Sequence, residues 1–273
     1  MNSTPSIAFI GAGNMAGSII GGLVANGRPA TSIVASDPNI EGLTALADSH
    51  GIQTTTDNAE AVKQANIIVL AIKPQIMQLA CESIVDHLAA ETLVISIAAG
   101  ITCSSLKQWL NKKQAVVRCM PNTPALVSAG ASALFANKRV SDEQRKQAEE
   151  ILAAVGTVNW VDNEKDIDAV TAVSGSGPAY FFLMIEAMID AGIKQGLTRE
   201  TATTLASQTA YGAAKLALSS DVDVAELRRR VTSPNGTTAE AIASFEQSDF
   251  RGIVGKAMKA CADRSRALAE ELG

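Results

Sequence analysis

Short apolar runs alternate with helical periods through roughly the first three-fifths of the chain, and helical periods alone fill the rest. The first run, Ile7–Ile10, has the length of a buried strand. Gly11-Ala12-Gly13-Asn14-Met15-Ala16 follows, then Ile19, Ile20, Leu23 and Val24 at the spacing of one helix face, closed by Asn26-Gly27. Ile33–Ser36 predicts a second strand, ended by Asp37-Pro38-Asn39. A helix over Glu41–Ser49 stops before Gly51, Ile52–Thr54 reads as a weak strand, and Asp57-Asn58 caps a helix over Ala59–Gln64. Three strong buried strands come next: Ile67–Ala71, Leu93–Ile97 and Ala115–Met120. Two more, Ala131–Phe135 and Thr157–Val161, flank a helix from Asp142 to about Ala154. Strands alternating with helices predict an α/β fold, a Rossmann-type doubly wound, mostly parallel sheet.

No convincing strand follows Glu164, so the pattern predicts a sheet domain over 1–163 and an all-α domain over 164–273, with the boundary near Asp162–Asp166. Within the second part Ala179–Ile193 is apolar nearly all round. Such a helix has no solvent face and must be buried. A domain this small has little to cover it, so the expectation is a dimer with helices of two chains interleaved.

Composition narrows the function. The chain has 273 residues, 47% hydrophobic and only 4% aromatic, so aliphatic side chains do the packing. A net charge of −5 argues against nucleic acid or an anionic membrane as partner. No uninterrupted apolar run reaches the ~18 residues of a membrane span, and no signal peptide precedes the first strand, so a cytoplasmic protein is expected. Cys81, Cys103, Cys119 and Cys261 make no C-x-x-C and read as reduced thiols. With two histidines, His50 and His87, both near predicted helix ends, no metal centre is expected. A Ser-His-Asp hydrolase lacks its G-x-S-x-G elbow.

The candidate chemistry begins at the G-x-G-x-x-A turn. Placed between a strand and a helix, it has the context of a dinucleotide fingerprint. Gly11 permits the tight turn, Gly13 lets a pyrophosphate approach the backbone, and the helix N-terminus faces the phosphates. Asp37 stands at the end of the second strand, somewhat past the usual ~20-residue offset for the ribose-binding acid. Both readings stand: a ribose ligand, or a turn residue before Pro38. The strand ends Ile72-Lys73-Pro74, Ala98-Ala99-Gly100 and Pro121-Asn122-Thr123-Pro124 carry small or polar residues at the edge where ligands bind in open α/β sheets. In the helical part, Ser174-Gly175-Ser176-Gly177-Pro178 interrupts two helices, with glycines and free N–H groups that could meet a ligand. Thr232–Thr238 ends a helix over 224–231 and starts one over 239–247, offering hydroxyls and N-terminal donors to a carboxylate. Each also fits an ordinary capped helix connection.

Six segments in this order, FIGAGNMA, AIKP, SIAAG, RCMPNTP, AVSGSGPAY and TSPNGTT, resemble the Δ1-pyrroline-5-carboxylate reductase family. The likeness runs from Phe9 to Thr238 and continues in pattern through the helical tail. It implies NADPH- or NADH-dependent reduction of a cyclic imine to L-proline, and an interlocked helical dimer, in some members built into a decamer. It also implies that Gly11, Ala12, Gly13, Asn14, Met15 and Ala16 bind pyrophosphate, and that Ser36 and Asp37 lie at the adenosine ribose. Asn58, Ala71, Ile72, Lys73, Pro74, Ala98, Ala99, Gly100 and Asn122 fall to the nicotinamide side. Ser233, Asn235, Gly236, Thr237 and Thr238, with Ser176 and Gly177, fall to the substrate, and Thr238 places its hydroxyl near the ring nitrogen as the catalytic residue. The chain departs from the pattern at Asp37, where some members have a serine for the 2′-phosphate, and at Asp221 and Arg230.

The residues fit imine chemistry independently of the resemblance. A ketone reduction needs a placed acid such as His or Lys. A protonated imine is already an electrophile, and no candidate loop holds a histidine. Two rivals remain: a β-hydroxyacid dehydrogenase, whose helix lysine has no counterpart in Gly175–Ala191, and a catalytically silent dinucleotide sensor.

Overall fold

A computed structural model describes residues 4–110 and 113–272. The first half runs β1 (Ile7–Ile10), α1 (Asn14–Ala25), β2 (Ile33–Ser36), α2 (Ile40–His50), β3 (Gln53–Thr55), α3 (Asn58–Val62), β4 (Ile67–Leu70), α4 (Met77–Ile84), β5 (Leu93–Ser96), α5 (Cys103–Trp109), β6 (Ala115–Met120), β7 (Gly130–Ala136), α6 (Asp142–Ala153) and β8 (Gly156–Trp160). The strands form one sheet in the order β3-β2-β1-β4-β5-β6-β7-β8. All neighbours are parallel except β6 and β7, which are antiparallel. The order reverses between β1 and β4, which makes their C-terminal ends the switch point where ligands bind in this architecture.

Successive strand residues point to opposite faces, and the core divides accordingly. Ile7 and Phe9 pack with Ile19, Ile20, Leu43 and Ile151 from α1, α2 and α6. Ala8 and Ile10 pack with Val62, Met77, Ile84 and Leu106 from α3, α4 and α5. Burial on both faces explains why the strands read as unbroken apolar runs. Local chemistry sets the helix ends: Asp57 accepts the N–H groups of Ala59 and Glu60 ahead of α3, and Gly51 takes φ +70° beyond α2.

The remaining elements are α7 (Asp166–Val170), a π-helical turn (Thr171–Gly175), α8 (Gly177–Lys194), α9 (Arg199–Ser219), α10 (Val224–Arg230), α11 (Thr237–Gln247) and α12 (Phe250–Leu272). By packing, the chain forms two compact units, 1–176 with 261–273, and 177–260. The division therefore falls later than the change of pattern near residue 163. It does so because α7, the π turn and the end of α12 pack with the sheet unit. Leu272 joins the α4–α5 face of its core, and the Ser265 hydroxyl donates to Asp168 at 2.7 Å.

The segment Ser174–Pro178 separates α7 from α8 through the π turn and Ser176, and Pro178 lies in the first turn of α8, as expected; the Ser176 N–H, however, is not free but donates to the Thr171 carbonyl at 2.8 Å. Counted as one run, Asp166–Lys194 is helical but for Ser176. That 29-residue stretch is long and apolar enough to cross a membrane by length and composition alone, which the absence of an unbroken apolar run did not reveal. Within one chain α8 leaves Phe181, Phe182 and Leu183 at 68%, 64% and 66% exposure.

Candidate active site

The rim of the sheet is built from the strand ends inward. Gly11 takes φ +99°, and a Cβ there would sit 2.5 Å from the Ala71 carbonyl oxygen, so the chain leaving β4 gives no room for a side chain. Gly13 caps α1 without any side-chain bond, and a Cβ there would meet nothing within 4 Å. That openness is what a phosphate approaching the backbone needs. The Gly17 N–H bonds the Gly13 carbonyl, while the N–H groups of Asn14 and Met15 precede that first intrahelical bond. Ala16 is fully buried and serves the close packing of α1 on the sheet.

Asp37 is engaged on both carboxylate oxygens. Oδ2 accepts the Ala12 N–H at 2.9 Å and Oδ1 accepts the Asn39 N–H at 2.9 Å. It is thus a turn residue that also fastens β2 to the glycine loop, and it stays partly exposed at the rim. Ser36 is different: its side chain is buried, and its hydroxyl donates to Asn58 Oδ1 at 2.8 Å. Asn58 in turn spends its amide on Ser36 and, at 3.4 Å, on Ser83.

Farther along the rim, Lys73 is exposed ahead of Pro74 and has no ion pair among the described residues. Gly100 takes φ +75°, and a Cβ there would press on Leu268 of α12 at 3.1 Å. Ala98 and Gly100 are buried and Ala99 is half-buried. Asn122, placed with the cofactor residues from sequence, uses both ends of its amide inside the protein. Oδ1 accepts the Ala131 N–H at 2.9 Å and Nδ2 donates to the Ser174 carbonyl at 3.0 Å. The amide therefore ties β7 to the π turn, and Ser176 is held next to it with the Cys261 thiol 3.2 Å from its hydroxyl.

Sequence reasoning missed a partly buried ion pair at the same rim. Arg118, 6% exposed, donates to Glu164 Oε1 at 2.7 Å, and the same oxygen accepts the Cys103 N–H at 2.6 Å. The pair anchors the first turn of α5, directly after the Ala98–Gly100 loop. An arginine inside an otherwise apolar strand was the available signal, since a buried guanidinium demands a carboxylate. Cys81, Cys103 and Cys119 are buried, and burial pushes each thiol up to about 12.

Ser233, Asn235, Gly236, Thr237 and Thr238 belong to the second unit. Asn235 takes φ +59°, and the Gly236 N–H closes the turn onto Ser233 O at 3.0 Å. Gly236 caps α11 and brings no side chain to its first N–H groups, and Thr237 and Thr238 are both exposed at its first turn. A helix start with exposed hydroxyls and no internal cap suits a carboxylate. Gly177 opens α8 and is buried. Arg230 pairs with Glu226 at 2.8 Å on α10.

Comparison with known proteins bears on both halves. A sequence model for coenzyme F420-dependent NADP oxidoreductases matches residues 6–100, and one for pyrroline-5-carboxylate reductase dimerisation matches residues 164–268. The pyrroline-5-carboxylate reductase of Pseudomonas aeruginosa is 58% identical over 271 residues, 99% of either chain, and that of Vibrio alginolyticus is 45% identical over 96% of this chain and 97% of its own. Among solved structures, a pyrroline-5-carboxylate reductase from Coxiella burnetii aligns with a TM-score of 0.94 at 43% identity, covering 98% of this chain and 99% of its own. The Plasmodium falciparum enzyme, solved with NADP bound, aligns at 0.86 and 32%, covering 97% and 98%. A 3-hydroxyisobutyrate dehydrogenase from Mycobacterium tuberculosis, at 15% identity and 0.54, shares the fold alone. Near-complete coverage of these relatives, together with the dimerisation match over its helical half, places the chain in the pyrroline-5-carboxylate reductase family.

Proposed function

We infer that the protein reduces the C=N bond of 1-pyrroline-5-carboxylate to L-proline with a reduced nicotinamide cofactor, the last step of proline biosynthesis. The observation that carries this is the fingerprint turn in its working form: Gly11 forced to φ +99° under β4, and Gly13 open to space at an uncapped helix start. These residues fit the pyrophosphate of a dinucleotide without any rearrangement of side chains.

Gly11–Met15 hold the pyrophosphate through main-chain N–H groups. Asp37 receives the adenosine ribose with the lone pairs its two internal bonds leave over. Ala71–Pro74 and Ala98–Gly100 form the wall against which the nicotinamide lies. When bound, the reduced nicotinamide supplies the hydride. The main-chain donors of Ser233–Thr238 hold the substrate carboxylate, and the Thr238 hydroxyl meets the ring nitrogen. The protonated imine gains a hydride at carbon and becomes a neutral amine, so these residues need only orient the ring and keep its nitrogen hydrogen-bonded. The absence of histidine from every one of these loops fits that demand.

The protein is a homo-oligomer, and the exposed apolar face of α8 fits the interface of a dimer. Assembly of dimers into a decamer, residence in the cytoplasm, and independence of membranes and nucleic acids complete the reading. Purified protein is expected to oxidise NADPH or NADH only when pyrroline-5-carboxylate is present. No turnover with either cofactor would refute the activity, and a silent sensor would replace it.

A further inference from the structure

Asn122 sits nine-tenths buried at the end of β6 with both halves of its amide in use. The Ala131 N–H into Oδ1 fixes which way the amide faces, leaving Nδ2 to donate to the Ser174 carbonyl. That carbonyl has a particular need. In an α-helix its partner would be the N–H four residues on, and residue 178 is proline, which has none. Pro178 removes that α-helical donor, and a side chain from 52 positions earlier in the chain supplies one.

Two more observations locate this contact in the same few residues. The turn is π-helical, with Ser176 bonded back to Thr171 at 2.8 Å. Such insertions survive where the shifted backbone is used. Gly175 lies against Met120 so closely that a Cβ would come within 3.1 Å of its sulfur. The end of β6 therefore grips the turn twice, through Met120 and through Asn122. What the turn presents is Ser176, half-buried, with the Cys261 sulfur 3.2 Å from its hydroxyl oxygen. With the thiol donating, the serine proton is left for another acceptor.

We propose that Asn122 is a positioning residue: its amide replaces the donor that Pro178 lacks, fixes the π turn against β6, and so aims the Ser176 hydroxyl at the substrate. It rests on the reading of Ser176 as substrate-facing, and it moves Asn122 from contacting the cofactor to acting through Ser176.

The test is a kinetic double-mutant cycle on the full-length oligomer, with Asn122→Asp, Ser176→Ala and the pair. Asn122→Asp keeps the acceptor for Ala131 and removes the donor to Ser174. It is expected to weaken kcat/KM for pyrroline-5-carboxylate by about tenfold, the scale of one well-placed hydrogen bond, while NADPH affinity, read by fluorescence titration, stays within about twofold. In the Ser176→Ala background the same change is expected to cost little more. Pro178→Ala, which restores a backbone donor to Ser174, is expected to recover part of the Asn122→Asp loss. Wild-type kinetics for Ser176→Ala would sink the substrate role of that serine and the positioning role with it. An impaired Ser176→Ala with strictly additive losses would overturn the positioning role alone. So would a loss in Asn122→Asp confined to cofactor affinity.

Discussion

The two compact units solve the burial problem in opposite ways. In the sheet unit, β1, β4 and β5 are covered on both faces, and Ile7, Phe9, Ile68, Val69 and Val94 are entirely shielded. In the helical unit α8 carries more consecutive apolar side chains, yet three adjacent ones, Phe181, Phe182 and Leu183, are about two-thirds exposed. Composition does not separate them. The sheet offers two broad faces that helices of the same chain can close, whereas a helix apolar all round needs neighbours on every side. One unit closes its apolar faces within a single chain, and the other leaves an apolar face of α8 uncovered by it.

The largest effect should come from breaking that second solution. Phe182→Asp is expected to abolish oligomer formation in light scattering and to remove turnover with it, because it forfeits about 1.5–3 kcal/mol of burial and adds a charge. The same logic makes the wild-type Tm rise with protein concentration. A fully dimeric Phe182→Asp protein would show that α8 is not the interface.

Next comes the rim of the complete unit. Gly11→Ala would force a Cβ to within 2.5 Å of the Ala71 oxygen at φ +99°. The strain expected is about 1–3 kcal/mol, seen as a lowered Tm and a weakened NADPH titration in an oligomer of unchanged size. Normal cofactor binding in this variant would remove Gly11 from the phosphate site.

Thr238→Ala probes the other unit. It is expected to lower kcat by about tenfold, the scale of one lost hydrogen bond, with cofactor affinity intact, and equal turnover would remove Thr238 from the chemistry. Asp37→Ser is a smaller, finer probe: the ratio of kcat/KM for NADPH over NADH should rise several-fold, as a negative group is withdrawn from the 2′-phosphate. An unchanged ratio would leave Asp37 with only its two internal bonds, to Ala12 and Asn39.

The mildest prediction concerns the buried thiols. Cys81, Cys103 and Cys119 are held up to about 12, against an ordinary 9 in the unfolded chain. Between those values the folded state keeps protons that the unfolded state has released. Their contribution to stability is therefore whole below pH 9 and is lost as pH rises from 9 toward 12. Denaturant midpoints measured across that range should fall, and should fall less in Cys119→Ala.

Much of this was legible in the chain, because the relevant signals are local. The strand ends agree with the structure to within about a residue or two, as the apolar runs of a doubly covered sheet require. The glycine turn announced its own geometry. The helical half was readable as helical, and as underfilled, from the period alone. What the sequence could not determine is where polar side chains spend their bonds. Ser36 and Asn58 bond to each other across 22 positions. Arg118 found Glu164 across 46 positions, Ser265 found Asp168 across 97, and Cys261 came to Ser176 across 85. Those pairings also go with the end of α12 joining the sheet unit, and the break between α7 and α8 takes the form of a π turn. Periodicity records which face of an element is apolar. Only the tertiary structure brings distant donors to orphaned acceptors, and in the interior few such acceptors are left without one.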